Sequence, residues 1–356
     1  MQYNFDQTRR NEERQMHISI AVILALLTVM TVITIIIICM PASALHVSGN
    51  PSDTDGTTAT PQGTQSPQTG NHPDLGSFKN AANMTGCNIY SVDNAQQMSG
   101  ISSSNALVVD MSTNIALYAK GADERIQIAS MTKVMTLITA LELIESNDQM
   151  YEQVEIKSVY GQNDLTGYQK AFKAGEKVYV IDLLYSLILQ SGCDSALALA
   201  ERFAGGEAAF VEKMNEMAQN MGLENTRFTN CYGNDDGGNN YSTARDVGEI
   251  FMYALKNELA YKIITTPSDT YKYYGYKNYS IAHYCQSMVL DGIKKRDTGD
   301  VTVLGGKSGN DTLAGYCLVS FGQTEDGHKY LVVTAGDKKN PNSYDDSAYV
   351  YRNYVN

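Results

Sequence analysis

Apolar and polar positions change rhythm several times along this chain. Ile18 to Met40 carries no charge, and its hydroxyls are only Ser19, Thr28, Thr31 and Thr34. A helix of this length, rising about 1.5 Å per residue, covers the roughly 30 Å hydrocarbon core of a bilayer. A helix apolar on every face suits lipid better than a protein surface. Arg9, Arg10 and Arg14 precede the run, diluted by Glu12 and Glu13, and place the N-terminus on the cytoplasmic side. The expectation is a cytoplasmic tail over 1–16 and a single membrane anchor over 17–40. Ala42-Ser43-Ala44 also fits a signal-peptidase site, but the apolar run exceeds the usual signal length and favours the anchor. In either case the remainder is exported.

Residues 41–93 are expected to form a flexible linker. The stretch to Gly86 is rich in Ser, Thr, Gly, Pro, Asn and Gln and has almost no apolar period, so it buries too little surface to offset chain entropy. From about Asn94 to Asn356 the pattern becomes that of a folded domain. Ala106–Asp110 and Ile115–Tyr118 flank Met111-Ser-Thr-Asn114 and predict a β-hairpin. Val134, Leu137, Ile138, Leu141 and Ile144 recur at helical spacing from near Ala129. A second helix starts at Asp182 and breaks at Ser191-Gly192, and a third follows with Asp194 as its cap. Helices are also expected over Glu207–Asn220 and from Ser242 or Thr243 to Leu255. Strands at Val301–Leu304, Gly315–Phe321 and Tyr330–Ala335 precede a short helix from about Asp345. A hairpin, then helices, then strands is an α+β order, in which the first hairpin can join the last strands in one antiparallel sheet.

Charge narrows the function. A net charge of −12 without a basic cluster in the body excludes a nucleic-acid partner. Six cysteines, none in a Cys-x-x-Cys pair, do not make a disulfide scaffold. Of five histidines, three (His17, His46, His72) precede the folded region, leaving His283 and His328. Neither a metal site nor a histidine triad is expected, and no cofactor is implied. Tyr271, Tyr273, Tyr274, Tyr276 and Tyr279 alternate as in a half-buried hairpin, with a sugar-stacking edge as the rival reading.

Ser130-Met-Thr-Lys133 is the only Ser-x-x-Lys in the sequence. Residues three apart share a helix face, so hydroxyl and amine can meet. Serine needs a base within hydrogen-bond reach, and a lysine held neutral by burial can serve. Taken alone, the pattern more often means a helix cap and a solvated lysine. Lys307-Ser308-Gly309 sits beside a strand-like run, where an amine and a hydroxyl can meet a carboxylate and glycine admits a ligand backbone; alone, it reads as a turn. Ser191-Gly192-Cys193 marks the helix break, where a side chain can project into a cleft. Its expected form, Ser-x-Asn, also occurs at Ser48, Ser103, Ser112 and Ser308, so position must decide.

Ser-x-x-Lys, a Ser-x-Asn-type element and Lys-Thr-Gly together mark class A β-lactamases and penicillin-binding proteins. From about Ala106 to its C-terminus the chain resembles the D-alanyl-D-alanine carboxypeptidases, the low-molecular-weight penicillin-binding proteins. Ala129-Ser-Met-Thr-Lys-Val-Met-Thr136, Leu189-Gln-Ser-Gly-Cys-Asp-Ser-Ala196, Asn225-Thr-Arg-Phe-Thr-Asn230, Tyr241-Ser-Thr-Ala-Arg-Asp246 and Lys307–Tyr316 carry the likeness. It implies a β-lactamase/transpeptidase-like fold, with an antiparallel sheet of about five strands flanked by helices. Ser130 would be the nucleophile, Lys133 its base and Ser191 the proton relay. Lys307, Ser308, Gly309, Asn310 and Cys193 would line the substrate site, with the N–H groups of Ser130 and Asn310 as oxyanion hole. The implied partners are peptidoglycan stem peptides ending in D-Ala-D-Ala, β-lactams, and the bacterial membrane through the N-terminal helix.

The chain departs from the pattern at Cys193, where the family usually has Asn. The thiol is a far weaker donor. It is either a small buried residue or one half of a disulfide with Cys231, whose loop lies beside the cleft in the family; a catalytic cysteine lacks a partner histidine. Cys193 also motivates an inactive sensor or scaffold as the second function. A β-lactamase ranks third, because no deacylating glutamate stands in the expected context. The basic residue that holds the substrate carboxylate in some members has only Lys338 or Lys339 as a weak match.

Overall fold

The computed structural model describes residues 87–157, 171–234, 237–280, 284–338 and 343–355. The expected tail, membrane anchor and most of the linker lie outside them. Among the described residues no helix is long and apolar enough to cross a membrane.

Strands β1 (Gln96–Gln97), β2 (Asn105–Asp110) and β3 (Ile115–Lys120) come first. A 3₁₀ turn over Ala129–Thr132 then runs into helix α1 (Lys133–Leu143). A two-stranded ribbon of β4 (Gln153–Glu155) and β5 (Lys177–Tyr179) leads into α2 (Val180–Leu189) and α3 (Cys193–Ala204). Helices α4 (Glu207–Asn220), α5 (Ala244–Leu255), α6 (Glu258–Ile264) and α7 (Met288–Ile293) follow. The chain returns through β6 (Thr302–Asp311), β7 (Gly315–Gln323) and β8 (Lys329–Asp337) to α8 (Ser343–Tyr354).

The sheet order is β1-β3-β2-β8-β7-β6. The first hairpin therefore sits beside the last three strands, all antiparallel, and β1 adds a short parallel edge on β3. Alternation decides which side chains go to which layer. Leu107, Val109, Leu331 and Val333 face the helical core, while Ala106, Val108 and Val332 face a smaller cluster with Val350 and Tyr351 of α8. Both faces are covered, so β2 is apolar at almost every position. Helix α1 is buried along nearly its whole length, Val134, Leu137, Ile138 and Leu141 included. β6 is the sheet's outer strand and passes the start of the α1 segment.

Four features differ from the sequence reading. The folded body reaches back into the segment read as linker, since Cys87, Ile89 and Val92 are buried in the main core. Asp194 is not the cap of α3; Gly192 is. The Asp194 carboxylate instead accepts the backbone N–H groups of Ala171 and Phe172 at 2.9 and 2.7 Å. Lys307-Ser308-Gly309 lies inside β6 rather than in a turn, because Gly306 and Gly309 keep the ladder with Ser320 and Cys317. Among the described residues the tyrosine-rich stretch shows no hairpin beyond one bridge between Lys272 and Tyr284. It wraps the buried Asp182, which accepts hydrogen bonds from Tyr271 Oη (2.6 Å), Tyr279 Oη (2.7 Å), Tyr274 N (2.8 Å) and Gly275 N (3.0 Å). A buried carboxylate needs such donors, and this loop supplies them.

Candidate active site

The nucleophile segment begins at a strained residue. Ala129 has φ 44°, a conformation that costs a side chain energy and persists where neighbours over-determine it. One neighbour is Gly233 (φ 75°), where an added Cβ would collide with the Ala129 carbonyl. The 3₁₀ turn that follows brings residues i and i+3 into line more closely than an α-turn. Lys133 Nζ accordingly lies 2.9 Å from Ser130 Oγ.

Lys133 is fully buried and has two further partners, the Tyr232 carbonyl at 2.6 Å and Cys193 Sγ at 3.3 Å. An ammonium can donate to all three. A neutral amine can donate to the carbonyl and the sulfur while its lone pair faces the Ser130 hydroxyl. The same contacts therefore fit both protonation states, and a proton can pass from Ser130 to Lys133 without rearrangement. Asn240 Nδ2 donates to Thr132 Oγ1 at 3.1 Å and Thr136 Oγ1 to the Cys231 carbonyl at 2.5 Å, fastening the 230–240 loop to this helix.

A second hydroxyl–amine pair faces the first. Ser191 follows α2 with φ 60°, another left-handed non-glycine residue. Lys307 Nζ on β6 donates to Ser191 Oγ at 2.9 Å and to the Ser308 carbonyl at 2.7 Å. Burial holds the Lys307 amine well below the ordinary lysine range, and repulsion from Lys133 adds to the shift. Both pairs thus belong to one centre. Among the described residues neither amine pairs with a carboxylate.

Gly309 explains how the strand comes so close. A Cβ there would lie 2.7 Å from the Ile128 carbonyl and 3.1 Å from Ser130 N. Glycine therefore brings the outer edge of β6 against the nucleophile's backbone N–H, with Asn310 next along, exposed. Ser308 is half-buried on the same strand. The structure brings together Ser130, Lys133, Ser191, Cys193 and Lys307, with Ser308, Gly309 and Asn310 along the edge. Cys193 and Cys231 are both free and buried, which overturns a disulfide between them. The thiol spends its position on Lys133 instead. Lys338 packs beside Gly315 at the β6–β7 turn, and Lys339 lies outside the described residues.

The sequence pattern of the D-alanyl-D-alanine carboxypeptidases matches residues 92–338. The chain belongs to the D-alanyl-D-alanine carboxypeptidase family. As a member of this family it is a serine hydrolase. A D-alanyl-D-alanine carboxypeptidase of a Streptomyces species is 36% identical over 225 residues, covering 60% of this chain and 74% of that one. One from Haemophilus influenzae is 32% identical over 238 residues, 66% of this chain and 57% of its own length. The crystal structure of the Streptomyces DD-transpeptidase superposes with a TM-score of 0.60 at 28% identity, covering 72% of this chain and 99% of that one. Solved variants of that enzyme replace a serine by alanine and, two positions on, a cysteine by asparagine. The same spacing separates Ser191 and Cys193.

The sequence reading missed the Tyr232 carbonyl, Gly233 and Asn240. Only the Asn230-Cys-Tyr-Gly233 loop, placed beside the cleft by resemblance, carried a signal for them.

Proposed function

We propose that this chain removes the terminal D-alanine from peptidoglycan stem peptides by a two-step acyl-enzyme route. Ser130 Oγ attacks the carbonyl between the two D-alanines, and its proton goes to Lys133 Nζ. The tetrahedral oxyanion sits between the N–H groups of Ser130 and Asn310, where Gly309 lets the strand close in. Ser191, held by Lys307, passes its proton to the leaving amine while taking up the one that Lys133 received, and D-alanine departs. Water then attacks the acyl-serine, and the proton it yields restores the Ser130 hydroxyl. Ser308 offers its hydroxyl to the terminal carboxylate. β-Lactams, which carry a strained amide and a carboxylate, acylate Ser130 in this reading.

The observation that carries the proposal is the pairing of two hydroxyls with two buried amines, each at 2.9 Å. The test is release of D-alanine from a pentapeptide ending in D-Ala-D-Ala. Turnover abolished by Ser130→Ala is the expected result; no release above that variant favours a binding or sensing role.

The same reading places the catalytic domain outside the cytoplasmic membrane, tethered through residues 17–40. The uncharged run Ile18–Met40 and the preceding arginines support it. Fractionation with and without this segment tests it: the full chain is expected in the membrane fraction and the truncated chain in solution.

A further inference from the structure

The elbow between α2 and α3 presents Ser191 to Lys307 and Cys193 to Lys133. The N-cap of α3 is Gly192, which has no side chain to offer the first N–H groups of the helix. Ser191, just before it, keeps a φ of 60°, which a residue with a side chain holds only where its neighbours impose it. Something other than a cap therefore fixes the elbow.

Ser186, one turn back in α2, supplies the hold. Its carbonyl accepts the N–H groups of Gln190 at 3.1 Å and Gly192 at 3.2 Å, the two residues flanking Ser191. Its hydroxyl accepts from Ser195 Oγ, in the first turn of α3, at 2.9 Å. Gly192 rests directly on this pair, since an added Cβ would stand 2.7 Å from Ser186 Oγ and 2.8 Å from Ser195 Oγ. Its φ of −60° suits any residue, so glycine is required here for space. The first turn of α3 is itself anchored. Asp194 Oδ1 accepts Ser195 N at 2.8 Å, while Oδ2 takes the N–H groups of Ala171 and Phe172. Ser186 and Ser195 are both fully buried. Replacing both hydroxyls of such a pair by apolar groups is close to neutral for folding, so what the pair adds is geometry.

We infer that Ser186 and Ser195 are positioning residues for the proton relay. The pair fastens the start of α3 to the end of α2, and the elbow between them then holds Ser191 Oγ at 2.9 Å from Lys307 Nζ. The inference rests on the proposed role of Ser191 as the group that protonates the leaving amine. Only a basic leaving group needs that proton. When the C–N bond of the terminal amide breaks, the amine takes it from Ser191. When the C–S bond of a thioester breaks, the thiolate departs without one. The elbow therefore matters to one substrate and not to the other.

The test compares, on the full chain, a peptide ending in D-Ala-D-Ala with its thioester analogue, in which D-thiolactate replaces the last residue. Ser191→Ala is the benchmark, expected to lower kcat/KM on the amide about a hundredfold or more and to spare the thioester. Ser186→Ala and Ser195→Ala are each expected to lower kcat/KM on the amide about tenfold and to leave the thioester within about twofold of wild type. The double variant should lose no more than the larger single loss, because both changes break one contact. Unfolding midpoints measured alongside identify any variant that fails to fold, and the double variant is expected to melt close to wild type. A wild-type ratio of amide to thioester kcat/KM in both single variants overturns the inference, as does equal loss on both substrates. Equal loss on both substrates in Ser191→Ala refutes the relay reading itself, and the inference with it, so the two failures are distinguishable.

Discussion

The two ends of helix α2 hold buried polar groups that differ in every respect. Near its start, Asp182 accepts four hydrogen bonds and its carboxylate is fully engaged. Just past its end, Ser191 is held in a left-handed conformation by its surroundings and is hydrogen-bonded by a lysine that, among the described residues, has two partners for up to three N–H groups. Tyr273 ties the ends together, donating to Gln190 Oε1 at 2.5 Å. The satisfied end fixes a loop and so contributes stability. The strained end keeps donor capacity for a ligand, at a cost borne by the rest of the fold.

The sharpest way to break this comparison is Lys307→Met. Loss of the amine that orients Ser191 is expected to lower kcat/KM for D-alanine release by about 10²–10⁴. The unfolding midpoint should hold or rise, because a buried, poorly compensated amine is replaced by an apolar side chain of similar reach. Steady-state rates and thermal melts on the same preparation check both halves. Asp182→Ala should behave in the opposite way. Four buried donors lose their acceptor, and stability is expected to fall by about 3 kcal/mol, read by denaturant titration. Activity of the fraction still folded at low temperature should stay within a few-fold of wild type.

These two sites also differ in how far they could be read from sequence. Ser130 and Lys133 are three residues apart, so local geometry alone allows them to meet, and the segment resemblance separated them from an ordinary helix cap. The hairpin and the last three strands were legible through alternation, and α4 through its period. Asp182 looked like an ordinary first-turn acid, and its tyrosine partners, about ninety residues away, mimicked the alternation of a hairpin. Cys193 stood open between a small buried residue and a bridge to Cys231, and the fold keeps it buried and free as a neighbour of Lys133.

Cys193 sharpens the picture at intermediate scale. In Cys193→Asn the amide offers Lys133 an acceptor and the substrate a stronger donor. Acylation of Ser130 by a penicillin should change by no more than about tenfold. Stopped-flow acylation rates check this, and a larger loss would make the thiol part of the proton route.

The smallest effect concerns a third buried carboxylate. Glu249 accepts Ile89 N at 2.8 Å, and burial raises its pKa to about 7. The folded state therefore binds more protons than the unfolded chain between about pH 4.5 and 7. This group's contribution to stability is full below that window and declines as pH rises through it. Glu249→Gln, which keeps the acceptor, is expected to flatten the decline, as measured by denaturant midpoints across the window. An unchanged slope assigns it to Asp194, which burial raises to about 6.

The most direct measurement is intact-protein mass spectrometry after brief exposure to benzylpenicillin, followed by peptide mapping. A single adduct of the antibiotic's mass on Ser130, absent from Ser130→Ala and strongly slowed in Lys133→Ala, is the predicted result. An unmodified chain, or an adduct on another residue such as Cys193, would contradict the convergence of two hydroxyls and two amines on one acyl centre.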